Sequence, residues 1–260
     1  MKNREIGAVA ASRLRSGYSV SVSFGFFLLA LYTFILAFSA LLADFLLKIP
    51  FLSERFSEGW AEMGVGIFLT LILLAPVRLG IKKWYLLLQG DFLPSRQAFA
   101  FLKGKGYWKT FLFSVVRQIT AFLLFLLPLL PSVVIAAALR AAFEGGSGDA
   151  LFGVLLIFLF CLTLLGIVIA LYGYLGLFFA DYIFLRRITD NPFRAVVLSF
   201  RIAGGRRGKL CRLVLRMLPY FIISLLGVVF PFAVPKIQSA LAVYAEDAID
   251  SYTGGMTCQF

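Results

Sequence analysis

No charged residue stands between Val22 and Asp44. A helix rises 1.5 Å per residue, so about 20 mainly apolar residues carry it across the ~30 Å hydrocarbon core of a bilayer. Runs of this kind recur along the chain, at 22–47, 63–79, 110–139, 151–180 and 213–234. They predict an all-α fold: one integral membrane domain over 1–260, built as a bundle of about five transmembrane helices. The second run is the shortest, because Arg78, Lys82 and Lys83 interrupt it. Trp60 and Trp84 stand where interfacial aromatics anchor a helix at its two ends. The first run is far longer than the roughly 7–15 apolar residues of a signal peptide and reads as a span.

Composition supports this reading. Hydrophobic residues make up 61% of the 260 and charged residues 15%, with a mean hydropathy of +0.94. Soluble domains carry about 45–50% apolar and about 25% charged residues. With 29 Phe, 9 Pro and 3 Cys, disordered, collagenous and disulfide-framework classes are excluded. Cys161, Cys211 and Cys258 are scattered, with no metal or redox spacing. Histidine is absent, which removes the commonest general base and metal ligand.

The net charge of +12 is unevenly spread. Four Lys and Arg lie in the N-terminal arm, seven between Arg78 and Lys109, and nine between Arg186 and Arg216. The alternate segments hold only Lys48, Arg55, Arg140 and Lys236. Cations collect on the cytoplasmic side of a membrane protein. The bias therefore predicts a cytoplasmic N-terminus and, after five spans, a C-terminus outside. It also points the basic charge at anionic phospholipid rather than nucleic acid.

Four segments between or beyond the spans predict amphipathic interfacial helices, at 2–16, 95–103, 191–203 and 236–249. In the third, Asn191 caps, Pro192 takes the first helical position, and Gly204-Gly205 ends the helix. Phe193, Val196, Val197 and Phe200 form its apolar stripe, flanked by Arg194 and Arg201. Ile6, Val9, Ala10 and Leu14 make the stripe of the first, and Ala98, Phe99 and Leu102 that of the second. Such faces suit a headgroup layer or the protein's own bundle equally well.

Signals for chemistry are poor. Gly204 to Lys209 imitates a phosphate loop, but Leu210 stands where a magnesium-binding hydroxyl belongs and no strand precedes it. No catalytic, cofactor or metal residues are expected. Ionisable residues near the spans lie close to their ends: Asp44, Arg78, Arg117, Arg140 and Asp181. Charge inside a membrane is costly and usually paired. Asp181 is therefore expected to form an intramembrane clamp with Arg117 or Arg78. Arg186, Arg187, Arg194, Arg201, Arg206, Arg207 and Lys209 are the expected anionic-lipid contacts. Pro128 and Pro131 predict a kink in the third span, and Gly166, Gly173 and Gly176 predict close helix packing on the fourth. The expected role is a non-enzymatic scaffold or accessory factor, partnered by the bilayer, another membrane protein or a second copy. The competing reading is a transporter of an amphipathic or lipid-like substrate.

One series of residues resembles a known family. Asp190-Asn191-Pro192, Ser199, then Ala203 through Leu210 opening an apolar run, is similar to the C-terminal half of the bacterial membrane family called domain of unknown function 975. The tail from Pro235 to Tyr244 and Ile249 agrees, as do Pro76, Leu79 and Gly80, Asp91 to Lys103, and Tyr107. Leu14, Gly17 and Tyr18 match the arm ahead of the first span. Leu165-Gly166 departs from the family's Pro-Gly, and the stretch to Asp190 is longer. The resemblance implies a multi-pass protein of the bacterial cytoplasmic membrane and carries no catalytic residues.

Overall fold

The computed structural model describes residues 3–48, 57–88, 93–102, 105–143, 149–224, 227 and 229–257. Arg55, Asp91, Lys103 and Cys258, named above, lie outside them. Among the described residues every regular element is helical. The N-terminal arm is α1 (Asn3–Leu14), joined by a short 3-10 turn to α2 (Tyr18–Leu47). Then come α3 (Glu58–Leu69) and α4 (Ala75–Leu87), fused through a π-helical segment at Thr70–Leu74. A 3-10 stretch at Ser95–Leu102 leads to α5 (Lys105–Phe143) and α6 (Asp149–Gly176). The chain closes with α7 (Phe178–Leu185), α8 (Pro192–Ala203), α9 (Arg207–Ser224) and α10 (Phe230–Thr257).

Among the described residues, four helical stretches are long and apolar enough to cross a membrane: Glu5–Leu47, Gly59–Leu87, Gly106–Arg140 and Val154–Leu185. Large apolar side chains stay on their outside, among them Phe34, Leu41, Phe122, Leu127, Ile157 and Phe160. The dense core gathers at one end instead, where Trp84, Phe113, Phe179, Tyr182, Leu210 and Leu213 are fully buried. Glycines bring α5 and α6 together. A side chain at Gly166 would strike the Pro128 carbonyl, and one at Gly173 would press on Leu124. The backbone at the proline pair is thus covered by a neighbouring helix.

The fifth expected run, 213–234, is divided. Helix α9 stops at Ser224, and Gly227 turns the chain with φ +65, in the left-handed region that glycine tolerates. The Gly227 amide donates to the Ser224 carbonyl at 3.2 Å, and the Phe230 amide to the Gly227 carbonyl at 3.1 Å. Helix α10 then runs back. Pro231 packs its backbone on Gly25, where no Cβ intervenes, and Phe232 meets Phe26 edge to face at 5.9 Å.

The return of α10 corrects the expected placement of the tail. The Ser239 hydroxyl donates to the Ala10 carbonyl at 3.0 Å, and Glu246 pairs with Arg13 at 2.5 Å and with Arg186 at 2.9 Å. Groups joined at such distances cannot face opposite sides of a ~30 Å hydrocarbon layer. Segment 236–249 therefore lies at the same end as the arm and the 186–207 segment, not across from them. The Lys and Arg bias missed this because Lys236 is a single charge, and the acids it accompanies are partners of Arg13 and Arg186.

The amphipathic stripes pack mainly on the protein itself. Ile6, Ala10 and Leu14 are buried in the core, and so is Ala98. On α8, capped by the Phe193 amide donating to Asn191 Oδ1 at 3.0 Å, Ala195, Val196, Ser199 and Ile202 face inward. Phe193 and Val197 remain exposed beside Arg194 and Arg201. The 3-10 segment presses its Ala98 carbonyl onto Gly80, leaving no room for a Cβ. Overpacking of this kind costs about 1–3 kcal/mol. Gly80→Ala is expected to lower the melting temperature in detergent, whereas Gly64→Ala, which meets open space on α3, should not. Equal melting of the two variants would refute the contact.

Candidate functional site

Pro76 has no amide hydrogen, so the Ile72 carbonyl one turn earlier loses its helical donor. The chain widens there into a π turn, in which the Ala75 amide reaches the Thr70 carbonyl. The Tyr107 hydroxyl donates to the freed Ile72 carbonyl at 3.1 Å. Single π turns often mark functional positions. This one opens onto a cavity of about 50 Å³ lined by Thr70, Arg78, Ser114, Arg117, Gln118 and Asp181, among others.

Asp181 sits in the first turn of α7, after a break in the α6–α7 helix at Leu177, and is 3% exposed. Its carboxylate pairs with the Lys82 ammonium and, at 2.8 Å, with Arg117 Nε. One acid on α7 therefore ties α4 to α5. Lys82 also lies 5.8 Å from the Tyr182 ring. Arg78 projects from the same face of α4 as Lys82, four residues earlier, and lines the cavity without replacing Lys82 as the partner. Of the three residues expected in a clamp, Asp181 and Arg117 meet directly. Lys82 takes the place foreseen for Arg78. Its signal in the sequence is the i, i+4 spacing from Arg78, which puts both cations on one helix face.

The seven basic residues expected to contact lipid divide into two groups. Arg186 is held by Glu246 and Asp250, and the Arg207 guanidinium stacks on Tyr172 at 4.4 Å beside Phe200. The Arg206 carbonyl accepts a hydrogen bond from the Tyr244 hydroxyl at 3.1 Å. Burial pushes that phenol up to about 12, so it stays a donor at neutral pH. These three contacts join helices. Arg187, Arg194, Arg201 and Lys209 are exposed. Arg194 and Arg201 rim a shallow groove of about 550 Å³ whose apolar wall includes Ile188, Phe193 and Val197. Ser199, which the sequence offers only as part of the family resemblance, donates its hydroxyl to the Gly176 carbonyl at 2.5 Å and docks α8 beside the end of α6.

Among the described residues, fold and site together define an all-helical bundle with four helices long and apolar enough to cross a membrane, a basic end, and a buried ionic tie beneath it. The chain belongs to the family described as Protein of unknown function (DUF975), whose model matches residues 91–250. That segment includes Arg117, Asp181 and the basic surface; Arg78 and Lys82 precede it. No curated protein and no solved structure matches the chain.

Proposed function

We propose that this is a non-enzymatic multi-pass protein of the bacterial cytoplasmic membrane, a scaffold or accessory factor whose basic cytoplasmic end holds anionic phospholipid. The carrying observation is the exposed set Arg187, Arg194, Arg201 and Lys209 together with the exposed Phe193 and Val197. Cations with adjacent apolar side chains suit a headgroup layer, since each Lys or Arg near an anionic surface contributes about 1 kcal/mol. In this reading the four apolar stretches span, the α9–α10 hairpin enters from the cytoplasmic side, and both ends of the described chain lie in the cytoplasm.

The test uses full-length protein in nanodiscs of mixed phosphatidylcholine and phosphatidylglycerol, with the lipid ring around the protein measured by mass spectrometry. Wild type is expected to enrich phosphatidylglycerol, more at low salt than at high. Replacing Arg187, Arg194, Arg201 and Lys209 by glutamine should abolish most of that enrichment. Enrichment unchanged in the quadruple variant would defeat the proposal.

A further inference from the structure

A second, larger concavity lies away from α8, between α1, α9 and α10, and encloses about 610 Å³. That is within the ~300–1,000 Å³ of small-ligand sites. Its floor is small and apolar, formed by Gly7, Ala10, Ala11 and Ala240, with Leu14 and Met217 as walls. At its rim stand Arg15, Arg216 and Lys236, with Tyr18 and Tyr220. All three cations are exposed. Lys236 rests its ammonium 5.2 Å from the Tyr220 ring. Among the described residues no acidic side chain lines the groove.

Helix α9 carries exposed Leu215, Leu218, Phe221 and Ile222 around the level of this rim. The cations therefore sit at the border between apolar surface and the basic end. An occupant must offer negative charge to three cations and an alkyl tail to a slot of small residues. Both demands are met by one molecule.

We infer that this groove is a site for a single anionic phospholipid, its phosphate held by Arg15, Arg216 and Lys236 and an acyl chain lying along Gly7 and Ala11. The inference rests on the membrane reading above but uses different residues and a different stoichiometry. The headgroup layer at α8 takes many lipids weakly; the groove takes one.

Gly7 provides a clean test. A side chain there meets no atom within 4 Å, so it would project into open space beside the groove. Leucine is also the better helix former. Gly7→Leu therefore blocks the chain slot without harming the fold. Full-length protein is washed in detergent containing equal phosphatidylglycerol and phosphatidylcholine, then examined by native mass spectrometry. Wild type is expected to keep one phosphatidylglycerol per chain at least tenfold in preference to phosphatidylcholine. Gly7→Leu, and separately Arg15→Gln with Arg216→Gln and Lys236→Gln, should each reduce that retained lipid at least tenfold. The α8 quadruple variant should keep it. Retention in Gly7→Leu, equal binding of phosphatidylcholine, or no retained lipid in wild type would each overturn the site. Absence of nanodisc enrichment in wild type, with the retained lipid intact, would instead count against the α8 surface alone.

Discussion

Asp181→Ala is expected to remove a large part of the protein's stability, seen as a steep fall in melting temperature and in monodisperse yield from detergent. The carboxylate is the shared partner of Lys82 and Arg117, each of whose side chains is mostly buried. Deleting one member of a buried ion pair costs about 3–5 kcal/mol, because the charge left behind is desolvated and unpaired. Here two cations on two helices are left facing each other. Folded proteins hold only about 5–15 kcal/mol in reserve, so the loss is severe. Lys82→Met should cost less, since Asp181 keeps Arg117. Replacing all three by Leu, Met and Met should recover much of the stability of Asp181→Ala, since apolar groups of similar volume often substitute for a buried pair at little cost. Asp181→Arg alone should fail to fold, and adding Arg117→Asp should restore part of the loss. An Asp181→Ala protein that melts like wild type, or a swap no better than Asp181→Arg, would show that the carboxylate does not tie α4 to α5.

The pieces of this cluster were unequally legible. Asp181 and Arg117 could be paired from the sequence because both lie near the same ends of apolar runs and charge there seeks a partner. Lys82 escaped because it shares the helix face of Arg78 one turn further on, and the sequence does not say which of two cations on one face reaches the carboxylate. Long helices announced themselves through hydropathy alone, since four of the five expected runs coincide, to within a few residues, with described helical stretches long enough to cross. The fifth run has the composition of a span, yet it folds as a hairpin. What decides that is one glycine at φ +65 and the contact of Pro231 with Gly25. Neither is visible as hydrophobicity. The amphipathic stripes were found correctly as helix faces. Whether such a face meets lipid or protein depends on what the rest of the chain places opposite it, and for Ile6, Ala10 and Leu14 that is largely α10.

Single cysteines at Ser12 and Ser251 are expected to label from one side of sealed vesicles, and a cysteine at Ser57 from the other. All three positions are exposed. The background protein would carry serine in place of Cys161, Cys211 and Cys258, and an impermeant maleimide would report the side. Ser12 lies beside Arg13 on α1, and Ser251 follows Asp250 on α10, so the pairs Arg13–Glu246 and Arg186–Asp250 hold both at one end. Ser57 precedes α3, beyond the far end of α2. The corner of the hairpin need not cross to produce this result. Pro231 meets α2 at Gly25, seven residues after Tyr18, which at 1.5 Å per residue is only about 10 Å along that helix. Backbone leaving a helix at that depth is tolerated when protein covers it. An α9 that crossed completely would instead require α10 to start on the far side, breaking its contacts with Ala10, Arg13 and Arg186 at once. Labelling of Ser251→Cys together with Ser57→Cys would mean that those contacts do not form in the membrane, and the four-span arrangement would fall with them.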